Sequence, residues 1–195
     1  MRDSDIQGFS YTAAMSKEYS LDHLDVAAFA KANAVIEGEE PVSAFERLAQ
    51  EAHASVDGMM VSWYAEGEHE PETGGPGQLW LHLDVEAQLP MQCQRCLGSV
   101  TMPLHVERSF RFVKDEATAE TLDDEAEEDV LALNKDFNLR QLIEDELLMA
   151  LPFVPMHEVC PESVPMASSD TDFEAANEEK TNPFAVLAGL RKNAD

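Results

Sequence analysis

Basic residues are scarce in this chain. Against 39 Asp and Glu it carries 13 Lys and Arg, a formal net charge of −26 over 195 residues. A general nucleic-acid binder takes its affinity largely from Lys and Arg on phosphates, so the balance excludes DNA and argues against non-specific RNA binding. It suits basic proteins, whose encounter it accelerates, although acidity also serves plain solubility. Cysteine is scarcer still: there are three, and an odd number that includes a Cys-x-x-Cys argues against a disulfide framework. Long apolar runs are missing, so nothing reaches the ~20 residues of a membrane span. The opening Met1-Arg-Asp-Ser-Asp-Ile6 lacks the apolar stretch of a secretory signal. The expectation is a cytoplasmic protein with neither a membrane nor DNA as partner. A hydrophobic content of 44% is enough to bury a core, and the length fits one domain with flexible segments.

The patterning predicts an α+β fold. Asp25 as cap, with Val26, Phe29 and Ala30 at helical spacing, predicts a helix within 20–36. Pro41, the Ser43/Glu46 pair as a capping box, and Phe45, Leu48 and Ala49 predict a second over 41–52. Residues 56–65 alternate like a strand, and 66–77 read as a loop. Residues 78–89 carry the clearest period of two: Leu79, Leu81, Leu83, Val85, Ala87 and Leu89 face one way, and Trp80, His82, Asp84, Glu86 and Gln88 the other. Residues 99–113 form a further strand, paired with the previous one as a hairpin. From Asp115 to Asp129 there are nine acids and no base, which reads as a mobile loop. An amphipathic helix comes next over 137–151, capped by Asn138, with Leu139, Leu142, Ile143, Leu147 and Ala150 as its buried stripe and Pro152 and Pro155 ending it. The expected organisation is a single α+β domain over 1–160, an antiparallel sheet that could curl toward a barrel, with N-terminal helices and one helix after the acidic loop. A flexible acidic linker over 161–181 and a short helix over 182–192 complete it, the helix opened by Asn182 and Pro183.

All three cysteines lie in two short segments, Cys93-Gln-Arg-Cys96 and His157-Glu-Val-Cys160. A gap of two lets a pair of donors turn toward one centre. Cys93, Cys96, His157 and Cys160 together could form a Cys3His zinc site. The alternative is that Cys93 and Cys96 are small turn residues and Cys160 is incidental, so that the protein has no cofactor. A redox role fits poorly, because a strand rather than a helix N-terminus flanks the motif.

Arg95, Arg108, Arg111 and Lys114 occupy a stretch whose one acid is Glu107. Such a strip can be solvated strand residues or a local contact with RNA phosphates. On the 137–151 helix, Glu144 and Asp145 fall away from the apolar stripe and are expected to be exposed, as a wet face or a contact for a basic partner. Glu146 lies nearer the stripe. Phe184 and Leu187, in the apolar tail, can dock on the protein itself or enter a partner's groove. His82, Asp84 and Glu86 share a strand face that a hard metal could use, although such a set is ordinarily just wet surface.

Three segments occur in order: Met91-Gln-Cys-Gln-Arg-Cys-Leu97, Leu142-Ile-Glu-Asp-Glu-Leu-Leu-Met-Ala-Leu-Pro152, and Asn182-Pro-Phe-Ala-Val-Leu-Ala188. They resemble the bacterial YceD family, the large ribosomal RNA subunit accumulation proteins, densely over 79–160 and again at the tail. The resemblance implies a role in synthesis, processing or stability of the large-subunit (23S) ribosomal RNA. Family genes commonly neighbour that of a small basic ribosomal protein. Similar members carry a fuller cysteine cluster after the Leu-Pro segment, from which this sequence departs. Two functions stand. One is a non-enzymatic ribosome biogenesis factor acting on basic ribosomal or ribosome-assembly proteins, with a local contact to large-subunit ribosomal RNA through Arg95, Arg108 and Arg111. The other is a metal-dependent enzyme or zinc-binding protein using the cysteine cluster or the His82 face.

Overall fold

The computed structural model describes residues 19–161, except 76, 124, 125 and 127. The linker beyond 161, the helix over 182–192, and Phe184 and Leu187 lie outside the described residues. Five strands make one sheet in chain order: β1 (Val35–Pro41), β2 (Met60–Glu70), β3 (Gln78–Gln92), β4 (Ser99–Val113) and β5 (Asp129–Ala132). The first three pairings are antiparallel and β4–β5 is parallel. The sheet is therefore mixed and mostly antiparallel. It is open rather than barrel-like, since β1 and β5 are its two ends.

One face of the sheet is the core. Leu81, Leu83, Val85 and Leu89 of β3 are buried, with Val106, Phe110 and Phe112 of β4 beside them. Against them pack α1 (Val26–Lys31), α2 (Glu46–Gln50) and α4 (Leu139–Met149). Leu139, Ile143 and Leu147 on α4 are completely buried, and each contributes about 1.5–3 kcal/mol through the water-exposed area it loses. Asn138 caps α4 as its sequence predicts, accepting from the Gln141 amide at 2.9 Å. The opposite sheet face is polar, as the alternation of β3 requires.

Four local expectations are corrected. The helix over 20–36 is shorter: α1 stops at Lys31, Asn33 turns with φ 44°, and β1 begins at Val35. The strand wins because Val35–Pro41 gains a full ladder with β2, which six isolated helical residues cannot match. The helix over 41–52 is reduced to one 3-10 turn (Val42–Ala44) and α2. No capping box forms; the cap position is Phe45, which has no side-chain acceptor. β2 runs to Glu70, into the segment read as a loop. The acidic block holds a helix, α3 (Glu116–Asp123), and the start of β5. Asp115 caps α3 through the Thr118 amide and hydroxyl at 2.9 and 2.6 Å, and the Thr118 hydroxyl and amide hold its carboxyl below the usual carboxylate range.

Gly67 explains how α1 reaches the sheet. A Cβ there would lie 2.6 Å from Phe29 Cδ1 and 2.8 Å from the Ala30 Cα. A larger residue would push the helix off β2.

Candidate metal centre

The β3–β4 hairpin carries Cys93 and Cys96 at its tip, just beyond the final ladder pair, Gln92 and Ser99. The Cys93 amide donates to the Gly98 carbonyl and the Leu97 amide to the Cys93 carbonyl, both at 2.8 Å. Leu97 takes the left-handed conformation with φ 60°, uncommon for a side chain of its size. That turn folds the Cys-x-x-Cys segment back on itself.

The segment leaving α4 is tied to this tip by hydrogen bonds. The Gln94 amide donates to the Pro155 carbonyl at 2.8 Å. Arg95 Nη2 donates to the His157 carbonyl at 2.6 Å. His157 Nε2 lies 3.0 Å from the Ser99 carbonyl oxygen. A carbonyl can only accept, so Nε2 donates to it, and in a neutral ring the lone pair then lies on Nδ1. That lone pair faces the Cys96 sulfur, 3.4 Å away.

The donor atoms of Cys93, Cys96, His157 and Cys160 all lie within 4.8 Å of one another. Tetrahedral zinc, with Zn–S near 2.3 Å and Zn–N near 2.0 Å, spaces its donors roughly 3.5–3.8 Å apart. The set fits zinc in donor chemistry and number. None of the three cysteines is in a disulfide. Burial pushes the Cys93 thiol up, but the backbone amides of Cys96, His157 and Arg95 stabilise the thiolate more. The net effect brings its pKa down to about 5. A thiolate is the form that ligates metal.

Away from the tip, β5 runs beside the end of β4, and this sets the acidic block against the basic strip. Arg108 pairs with Asp129 and lies 3.9 Å from Glu146. Arg111 meets Glu128 at 3.0 Å, and Lys114 meets Asp115 at 3.4 Å. Glu144, expected to be exposed, is 9% exposed. It binds Arg47 Nε at 2.8 Å, and Asp145 binds Arg47 Nη1 at 2.5 Å. On the wet face, His82 bonds to Ser109 and Glu68 at 2.8 and 2.9 Å, and Asp84 to His105 at 3.2 Å. Among the described residues, metal-type donors converge at the hairpin tip and not on that face.

Sequence patterning does not single out Arg47 and Arg140. Arg140 joins Asp22 at 2.8 Å and also Glu40, and its guanidinium holds the Asp22 carboxyl below the usual range. The partners of both arginines lie about a hundred residues away, so local sequence carries no signal for them.

Sheet and helices make an α+β fold, and its β3–β4 hairpin presents Cys93 and Cys96 at the tip. Residues 81–191 match the family described as Large ribosomal RNA subunit accumulation protein YceD, and the chain belongs to that family. Over 111 residues it is 32% identical to the Large ribosomal RNA subunit accumulation protein YceD of Haemophilus influenzae. That stretch is 55% of this chain and 63% of the relative, so the chain spans less than two thirds of the relative's length. No solved structure matches the chain. No helix among the described residues is long and apolar enough to cross a membrane.

Proposed function

We propose that this protein supports the accumulation of large-subunit (23S) ribosomal RNA, in the cytoplasm, as a non-enzymatic factor acting through protein contacts. Family membership over residues 81–191 is the observation that carries this reading. The partners proposed are basic ribosomal or ribosome-assembly proteins, which the −26 charge attracts. A local RNA contact would run through Arg95, Arg108 and Arg111. Arg108 and Arg111 would each exchange an internal carboxylate for a phosphate. The pairing of His82, Asp84 and Glu68 with strand neighbours supports the non-enzymatic reading, because these groups are satisfied as ordinary surface residues.

Cys93, Cys96, His157 and Cys160 are proposed to hold one structural zinc. Its chemistry there is to bind four protein donors and hold them in place; four ligands fill the tetrahedron and leave no position for a substrate. The preset His157 tautomer and the stabilised Cys93 thiolate support this reading over a site without a cofactor.

Depletion of the protein in its host tests the main reading. The expected result is a fall in mature large-subunit ribosomal RNA relative to small-subunit RNA, restored by re-expression. An unchanged ratio rejects it.

A further inference from the structure

Arg95 sits between the two cysteines of the tip, and its side chain reaches the segment that follows α4. Its Nη2 donates to the His157 carbonyl at 2.6 Å, while the ring of the same residue is held through Nε2 by the Ser99 carbonyl at 3.0 Å. His157 is thus gripped at its backbone by the loop between the cysteines and at its ring by the first residue of β4. Both anchors belong to the hairpin that presents Cys93 and Cys96. Neither uses the atom that faces Cys96, which is Nδ1.

We propose that Arg95 is a positioning residue of the zinc site: with the Ser99 carbonyl it fixes His157 so that Nδ1, not Nε2, is the ligating nitrogen. This rests on the zinc reading given above. The physical reason is that an imidazole has two equivalent routes to a metal until a partner claims one nitrogen. The Ser99 carbonyl claims Nε2. It can do so only while the 155–157 segment lies along the hairpin, and that segment is in coil with no ladder of its own. The Arg95 contact and the Gln94–Pro155 backbone bond supply that alignment. Arg suits the task because its charge does not titrate, and its planar donors give a fixed direction to a carbonyl.

The experiment uses the full chain without a His tag. Zinc content is measured first, and affinity is then obtained by competition with a chromophoric chelator, for the wild type, Arg95→Ala, Arg95→Lys and Cys96→Ser. The expected wild type carries one zinc. Arg95→Ala should still bind zinc but about 10–100-fold more weakly, the range for loss of a group that orients a metal ligand. Arg95→Lys should recover part of that loss, since one ammonium donor can reach the carbonyl. Long-range proton–nitrogen NMR of the wild-type imidazole should show His157 metallated at Nδ1 and protonated at Nε2. A wild type free of zinc overturns the zinc reading itself. A loaded wild type with unchanged affinity in Arg95→Ala, or with His157 bound through Nε2, leaves the zinc reading standing and overturns the role of Arg95. Circular dichroism of each variant separates weakened binding from loss of fold.

Discussion

Glu144 caps a helix 97 residues upstream of it: its Oε1 accepts from the Arg47 backbone amide at 2.7 Å and from the Leu48 amide at 3.3 Å. Its second oxygen takes the Arg47 guanidinium at 2.8 Å. These amides open α2, whose own cap position, Phe45, offers no acceptor. Free N–H groups at a helix start need a partner, and a carboxylate there also meets the positive end of the helix dipole. Glu144→Ala should therefore cost about 2 kcal/mol, the scale of a lost cap plus a charged hydrogen bond. Glu144→Gln should cost less, because its amide oxygen still accepts. Asp145→Ala, which removes an exposed partner of the same arginine, should cost under ~1 kcal/mol. Urea denaturation of the three variants checks the order. Equal small effects would make Glu144 ordinary surface.

Glu146 gives a pH-dependent prediction. It is 6% exposed, and burial raises its carboxyl above the ordinary value. Arg108 opposes that rise, and Asp129 and Asp145 add to it. A raised native pKa means the folded protein holds this proton more tightly than the unfolded chain does. The group therefore costs nothing below the unfolded pKa, and stability is lost as pH climbs through the native value. Glu146→Gln does not titrate. It should be more stable than wild type at pH 7, by on the order of 1 kcal/mol, and the difference should shrink toward pH 4. Thermal melts across that range decide it; a pH-independent difference would mean that burial of charge is not the cause.

RNA contact has a sharper test than removing arginines, because Arg108 and Arg111 are held by Asp129 and Glu128. Releasing them with Asp129→Asn and Glu128→Gln should strengthen binding to large-subunit precursor RNA. It should also steepen the salt dependence by about one unit for each additional phosphate that an arginine engages. Arg108→Ala with Arg111→Ala should do the reverse. Filter binding over a salt series reads both. If the two pairs of variants match wild type, these arginines serve only to pin β5 against β4.

Charge predicts the choice of partner. The protein should bind basic ribosomal proteins more tightly than unstructured RNA of similar size. That preference should weaken above ~0.1 M salt, where screening shortens to about 10 Å. Parallel calorimetric titrations at two salt concentrations measure it, and tighter binding to the RNA would contradict the proposed mode of action.

Local periodicity and spacing were enough for part of this protein. The alternation over β3 set its buried face, Asn138 and the stripe through Leu139, Ile143 and Leu147 set α4, and the paired gaps of two set the cysteine–histidine candidates. The β3 and α4 readings hold because each depends on neighbours within a few residues. Tertiary packing settled the rest. Val35–Pro41 has helical neighbours but becomes a strand because β2 offers it a ladder. The acidic run folds as α3 and β5 because Asp115 caps it and because Arg108 and Arg111 neutralise Asp129 and Glu128. Glu144 looks like a wet helix residue by spacing, yet it is almost buried because the bare start of α2 needs an acceptor. At the candidate metal centre, the spacing of the sequence pointed to the four residues that the fold brings together. That His157 turns Nδ1 toward Cys96 follows from the Ser99 carbonyl, which the hairpin places beside a segment 58 residues later. Contacts across such distances are fixed by packing, and no local pattern encodes them.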